Sequence, residues 1–123
     1  MRVNALDHIN ISTTDIAASA RFYAELLDLD PRNGPAPLPP EQVMWLYDHS
    51  GHPIIHLVKR DIAPGATGPI DHVALNCSGK DELLGRLRKL GIEPAIHEVA
   101  ALKRTLIFAR DPHGVMLELN FND

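Results

Sequence analysis

The chain has 123 residues, 45% hydrophobic and 23% charged, with a formal net charge of -4 before its seven histidines are counted. That length suits one domain with a real core, and a mildly acidic chain without a basic block makes a poor nucleic-acid binder. No apolar run approaches the roughly 20 residues of a membrane helix, no apolar signal core follows MRVNALDH, and the lone Cys77 permits no internal disulfide, so a soluble cytoplasmic protein without membrane contact is expected.

The chain opens on an apolar–Asp–His–apolar strand, Leu6-Asp7-His8-Ile9-Asn10-Ile11. A helix follows from about Thr14 to Leu27, with Ile16, Ala20, Tyr23 and Leu27 at helical spacing and Thr14 or Asp15 as cap. Arg21, Phe22 and Tyr23 on that helix read as structural. A short strand is expected near Leu29. Pro31 to Pro40 holds five prolines and a glycine, which excludes helix and central strand and reads as a stiff surface loop. Val43–Asp48 and Pro53–Lys59 then read as strands joined by the turn Asp48-His49-Ser50-Gly51.

Ala63 to Pro69 is a linker by composition. Beyond it the opening pattern recurs as Ile70-Asp71-His72-Val73-Ala74-Leu75, 64 residues after its first copy. A second helix runs from about Lys80 to Leu90 on Leu83, Leu84, Leu87 and Leu90, with Ser78 and Asp81 as a capping pair and Gly91 as its left-handed stop. Glu93–Glu98, Arg104–Arg110 and Val115–Phe121 complete the pattern, the last two separated by Asp111-Pro112-His113-Gly114. The order strand–helix–three strands occurs twice. The fold class is therefore α+β, a single domain of two βαβββ modules, about 1–62 and 69–123, with linker 63–69.

Strand alternation sorts the side chains by face. Ile9 and Ile11 oppose His8, Asn10 and Ser12, while Val73, Leu75 and Cys77 oppose His72, Ala74 and Asn76. In the last strand of each module Ile55 and Leu57 oppose His56, and Leu117 and Leu119 oppose Glu118. Alignment through Gly51 and Gly114 matches His56 to Glu118 within one residue. Four metal-capable residues thus occupy two pairs of equivalent positions, and sheets curling toward each other would bring them together. Imidazole nitrogen and carboxylate oxygen suit one divalent ion, Fe, Ni, Co, Zn or Mn. His49, His52, His97 and His113 fall in turns or off this register and read as surface residues. Asn10, Asn76 and Arg104 are candidates to orient a small-molecule substrate. Trp45, Tyr47, Met44 and Phe108 stand at apolar strand positions, where core packing is the expectation.

The chain resembles the vicinal oxygen chelate superfamily of glyoxalase I, extradiol dioxygenases, methylmalonyl-CoA epimerase and the fosfomycin- and bleomycin-resistance proteins. Leu6-Asp7-His8-Ile9-Asn10-Ile11, Ser19-Ala20-Arg21-Phe22-Tyr23, Asp71-His72-Val73-Ala74 and the stretch from Phe108 to Leu119 carry the resemblance. It implies paired modules curved into a cup-like mixed sheet around a metal held by His8, His56, His72 and Glu118, and often a homodimer. The implied activity is a glyoxalase-like lyase or isomerase working through an enediolate-like intermediate, with Glu118 or His56 moving the proton. Two alternatives follow from the same resemblance: an Fe(II) extradiol dioxygenase, which uses a His-His-Glu set matched by His8, His72 and Glu118, and a non-catalytic binding or resistance protein. Glyoxalase I resembles this pattern with Glu or Gln at the place of His56, and the epimerase with Gln, so His56 is the departure that matters.

Overall fold

The computed structural model describes residues 1–122. The chain divides into two compact units, Met1–Ala63 and Pro64–Asp123. Among the described residues no helix is long and apolar enough to cross a membrane.

The first module runs β1 (Ile9–Thr13), α1 (Ile16–Leu27), β2 (Asp30–Asn33), β3 (Val43–Tyr47) and β4 (Pro53–Lys59). Its sheet has the order β1-β4-β3-β2, with β1 parallel to β4 and the other pairs antiparallel. A parallel pair needs a crossover, and α1 lies within it. Asp15, in extended backbone, caps that helix by accepting a hydrogen bond from the Ala18 N–H at 3.0 Å. The helix ends where Asp28 turns left-handed, its N–H donating to the Ala24 carbonyl. Ile16, Ala20, Tyr23 and Leu26 are buried at helical spacing, together with Ile11, Leu46, Ile55 and Leu57 of the strands. The buried Thr13 and Ser19 hydroxyls satisfy one another at 2.7 Å, which removes the cost of a polar pair in this core.

The second module repeats the plan with β5 (Val73–Cys77), α2 (Lys80–Lys89), β6 (Ala95–Val99), a short 3-10 turn (Ala100–Leu102), β7 (Arg104–Arg110) and β8 (Met116–Phe121). The sheet order is β5-β8-β7-β6, again with its first and last strands parallel. Ile107, Leu117, Leu119 and Phe121 are buried, as are Leu83 and Leu87 of the helix. The two modules form an α+β fold of two four-stranded mixed sheets and two helices, the βαβββ plan written twice.

Three local expectations need correction. Ser78 and Asp81 do not cap α2: its N-cap is Gly79, left-handed at φ 87, with no side-chain cap bond. The stripe of α2 is also narrower than its sequence suggests, because Leu84 is half-buried and Leu90 exposed. Pro31 lies in a strand rather than in the proline-rich loop, paired with Leu46. β2 is the edge of its sheet, where a residue without an N–H can face outward and leave no ladder bond unmade. The left-handed stop at Gly91 does form, at φ 70, with the Ile92 N–H donating to the Leu87 carbonyl.

The two hairpin turns share the same pair of aspartate-to-backbone bonds. Asp48 Oδ1 accepts from the N–H of Ser50 and His52, and Asp111 Oδ1 accepts from the N–H of His113 and Val115. Gly51 and Gly114 close these turns at φ 86 and 88. Their surroundings differ. A Cβ on Gly51 would meet nothing within 4 Å, whereas one on Gly114 would lie 2.5 Å from the Gly65 carbonyl oxygen. The linker residue Gly65 is pinned there by its N–H donating to the His113 carbonyl. Gly51→Ala should therefore cost only the left-handed strain, about 1–2 kcal/mol. Gly114→Ala should cost more, about 3 kcal/mol, because backbone must also move. Urea denaturation of the two variants side by side checks the order; equal losses would mean that the Gly65 contact yields freely.

Candidate metal centre

In the first module the strand register builds a row across the sheet. Asn10 pairs with His56, His56 with Trp45, and Trp45 with Arg32. Paired residues share a face, so this row stands opposite the buried Ile55 and Leu57. His8, just ahead of β1, stacks on His56 with ring centroids 3.8 Å apart and planes at 14°. Trp45 stacks on the same imidazole at 4.2 Å and 8°. His56 is thus the middle ring of three. Its Nε2 is buried with no hydrogen-bond partner. Burial and the neighbouring His8 push its pKa below the usual histidine range, against a smaller opposing pull from Asp7, so the ring favours the neutral form that ligates metals.

His8 is held from behind. Its Nδ1 meets Asp7 Oδ2 at 2.6 Å, and His52 Nε2 meets the Asp7 carbonyl oxygen at 2.6 Å. His52, expected as a plain surface residue, therefore ties the β3–β4 turn to the segment that carries His8. The hydrogen bond to His8 holds the Asp7 carboxyl below its ordinary pKa.

In the second module the matching row runs Ala74, Glu118, Phe108, Ala95. His72 Nε2 lies 2.9 Å from Glu118 Oε2, and its Nδ1 lies 2.8 Å from Asp71 Oδ2. The hydrogen bond to Asp71, with the Glu118 and Asp71 charges adding to it, raises the His72 pKa above the usual value despite a smaller burial effect. Phe108 meets the His72 ring edge-on at 6.1 Å, and His97 meets Phe108 at 5.7 Å. His97 is on this face rather than off register, since β6 pairs it with Leu106. Trp45 and Phe108 are likewise half-exposed beside the donors rather than in the core, while Met44 pairs with the buried Leu57 on the opposite face.

The structure thus brings together His8 with His56 and, separately, His72 with Glu118. Register makes His56 and Glu118 equivalent: each lies in the fourth strand opposite the residue two places after its module's histidine. The one-residue offset in sequence is absorbed by a register shift opposite Leu46 and Tyr47. Asn10 is exposed in the His56 row, and Asn76 is exposed beside Asn120, whose buried Oδ1 has no partner. Arg104 is exposed at a strand end, with Nε donating to Asn122 Oδ1 at 3.0 Å. Among the described residues neither module by itself gathers three His, Cys, Asp or Glu side chains into a metal cluster.

A family profile, Glyoxalase/Bleomycin resistance protein/Dioxygenase superfamily, matches residues 5–119. The chain belongs to that superfamily. Among solved structures of the glyoxalase fold, a glyoxalase/dioxygenase from Nostoc punctiforme is 21% identical at a TM-score of 0.77, covering 97% of this chain and 91% of that one. Lactoylglutathione lyase from Agrobacterium tumefaciens is 18% identical at a TM-score of 0.69, with 98% and 96% covered. An integron cassette protein from the mobile metagenome of V. cholerae is 19% identical at 0.72, with 100% and 98% covered. No protein of curated function matches the chain by sequence. Members of the glyoxalase superfamily typically bind a divalent metal, and the donor types of each module suit such an ion: His8 with His56, whose buried Nε2 is left without a partner, in the first, and His72 with Glu118 in the second.

The histidines of the two halves of this glyoxalase-superfamily chain should have pKa values shifted in opposite directions when metal-free. His72 holds its proton more tightly folded than unfolded. Its stabilisation is full below the ordinary histidine pKa of about 6.5 and is lost as pH rises through the raised value. For His56 the neutral ring is favoured, so its contribution is present above about 6.5 and is lost as pH falls through the lowered value. NMR titration of the imidazole signals should place His72 above His56, and Asp71→Asn should move His72 down. A His56 that titrates above His72 would contradict the geometry.

Proposed function

We propose that the protein is a metal-dependent lyase or isomerase of glyoxalase type, acting on a small substrate with neighbouring oxygens through an enediolate-like intermediate. The observation that carries this reading is the equivalence of the two donor pairs, His8 with His56 and His72 with Glu118, each set by the same parallel strand register. His8, His56, His72 and Glu118 would share one divalent ion. A bound ion of this kind stabilises negative charge developing on adjacent oxygens and lowers the pKa of an α-hydroxy carbonyl.

The chain's own residues supply the rest. Glu118, with a side chain only 14% exposed, would take and return a proton at the substrate carbon, with His72 at 2.9 Å steadying its charge. His56, biased toward neutral imidazole, is the second group able to accept a proton. Trp45 and Phe108 flank the donors with apolar surface that limits water. Asn10, Asn76 and Arg104 would orient polar substrate groups. Three nitrogens and one carboxylate favour Fe, Ni, Co or Zn over the harder ions.

One observation favours a second reading. His56 lies stacked between His8 and Trp45, and if it stays in that stack the ligand set is His8, His72 and Glu118, the pattern of an Fe(II) extradiol dioxygenase. Sheet edges at β1, β2, β5 and β6, with Ile70 and Ile96 exposed, support a homodimer. In it the linker 63–69 would decide whether a site is built within one chain or across two.

Metal analysis of protein purified without a histidine tag should find one divalent ion per chain. Ala replacements at His8, His72 and Glu118 should each lower its retention by far more than tenfold; full metal content in all three would refute the site. His56→Ala should weaken binding at least 10–100-fold. His56→Glu should keep the metal and raise isomerisation of the methylglyoxal–glutathione adduct. Unchanged affinity in His56→Ala, with oxygen uptake on a catechol panel after anaerobic iron loading, would put the dioxygenase reading first. Turnover of neither substrate class by metal-loaded protein that binds a small ligand tightly would make it a binding protein. Sedimentation at micromolar concentration should give a dimer.

A further inference from the structure

We infer that Asp7 and Asp71 are positioning residues that hold the rings of His8 and His72 through Nδ1, and that Asp7 also fixes the tautomer of His8 that leaves its Nε2 bare, while the Nε2 of His72 faces Glu118. The inference rests on the metal site proposed above, and it starts from a coincidence between the modules. In both, the residue immediately before the histidine is an aspartate, and in both its Oδ2 meets the imidazole Nδ1, at 2.6 Å in one and 2.8 Å in the other. Side chains of adjacent residues diverge in a regular strand. This contact is possible because both pairs lie just ahead of their strands, β1 starting at Ile9 and β5 at Val73.

A carboxylate is acceptor-only, so the proton it binds must sit on Nδ1. A neutral imidazole with its proton on Nδ1 has its lone pair on Nε2, the atom that faces away from the aspartate. Without the carboxylate an exposed imidazole prefers to carry the proton on Nε2, and that proton would occupy the ligating atom. The aspartate also holds the ring about its side-chain torsions, and for His8 the stack on His56 supplies a second restraint. Ligating histidines gain basicity and a fixed orientation from such a partner.

A merely structural role fits the two aspartates poorly. Their side chains are 77% and 91% exposed, so neither packs a core and neither leaves a cavity when removed. A direct ligand role for the carboxylates is the competing possibility, and asparagine distinguishes it. The amide oxygen of asparagine still accepts from Nδ1–H and preserves the tautomer, but it is a far poorer metal ligand than a carboxylate.

The test uses the full chain with Zn(II) as probe, titrated against a competing chelator, in Asp7→Ala, Asp7→Asn, Asp71→Ala and Asp71→Asn. Each Ala variant should bind Zn(II) 10–100-fold more weakly, while each Asn variant should stay within a few-fold of the parent. In the metal-free protein, 15N shifts of the His8 ring at a pH where it is neutral should report the Nδ1–H form in the parent and in Asp7→Asn, and a shift toward Nε2–H in Asp7→Ala. Urea midpoints close to the parent's show that the variants fold. Unchanged Zn(II) affinity in the Ala variants, Asn variants as weak as Ala, or a His8 tautomer that ignores Asp7→Ala would each overturn the inference. If instead His8→Ala and His72→Ala keep their Zn(II), it is the site that fails, whatever the aspartates do.

Discussion

Parallel pairing of the first and fourth strands puts two side chains from distant parts of each module one strand apart. The parallel pair forces a crossover, and the crossover supplies α1 and α2. The apolar faces then close over those helices: Ile55, Leu57, Leu117 and Leu119 are all 1% exposed or less. With one face of each strand committed to a core, strand geometry leaves no choice for the other. A one-residue slip of β4 or β8 would bury His56 or Glu118 and expose leucine, which the apolar burial opposes strongly. The same force that folds each module therefore fixes the placement of its donors.

The two halves share this geometry and differ in electrostatics. In the first, His8, His56 and Trp45 form a stack of rings, and burial biases the middle imidazole toward neutrality. In the second, His72 stands between the carboxylates of Asp71 and Glu118, which favour its charged form. A cation brought to the second half meets net negative charge but must displace a proton from His72. One brought to the first half meets the stacked rings of His8 and His56, with the Asp7 carboxylate behind His8 and the His56 ring biased toward its neutral form. At matched register positions of the two repeats, Glu118 stands against His56 and Phe108 against Trp45, and these two differences carry the asymmetry.

Much of this was legible in the sequence because periodicity and repetition agree. The alternation around His56 and Glu118 is of period two, the Asp–His motif recurs, and the turns at Gly51 and Gly114 anchor the alignment. The capping of α2 was not legible, since Ser78 and Asp81 have suitable chemistry while the backbone instead enters through a left-handed glycine. Nor was the role of His97, whose face depends on how β6 registers against β7 and not on its own neighbours in the chain. His52 reaches the carbonyl of Asp7 across 45 residues, a tertiary contact with no local signal. Pro31 argues against a strand by itself, and only the sheet order reveals an edge that tolerates it. The pairing of each histidine with its preceding aspartate was present as a dipeptide, but a regular strand would have pointed the two apart.

Trp45 is the single tryptophan of the chain, and it lies face to face with His56 at 4.2 Å. An imidazolium in contact with an indole quenches its emission, and a neutral imidazole does so far less. The tryptophan emission of this protein therefore originates at one point, in contact with one titrating ring. Protonation of His56, its withdrawal from the stack, or the arrival of a paramagnetic ion beside it would each alter the emission in its own way. The molecule carries an optical gauge of the stack of His8, His56 and Trp45 without any label attached.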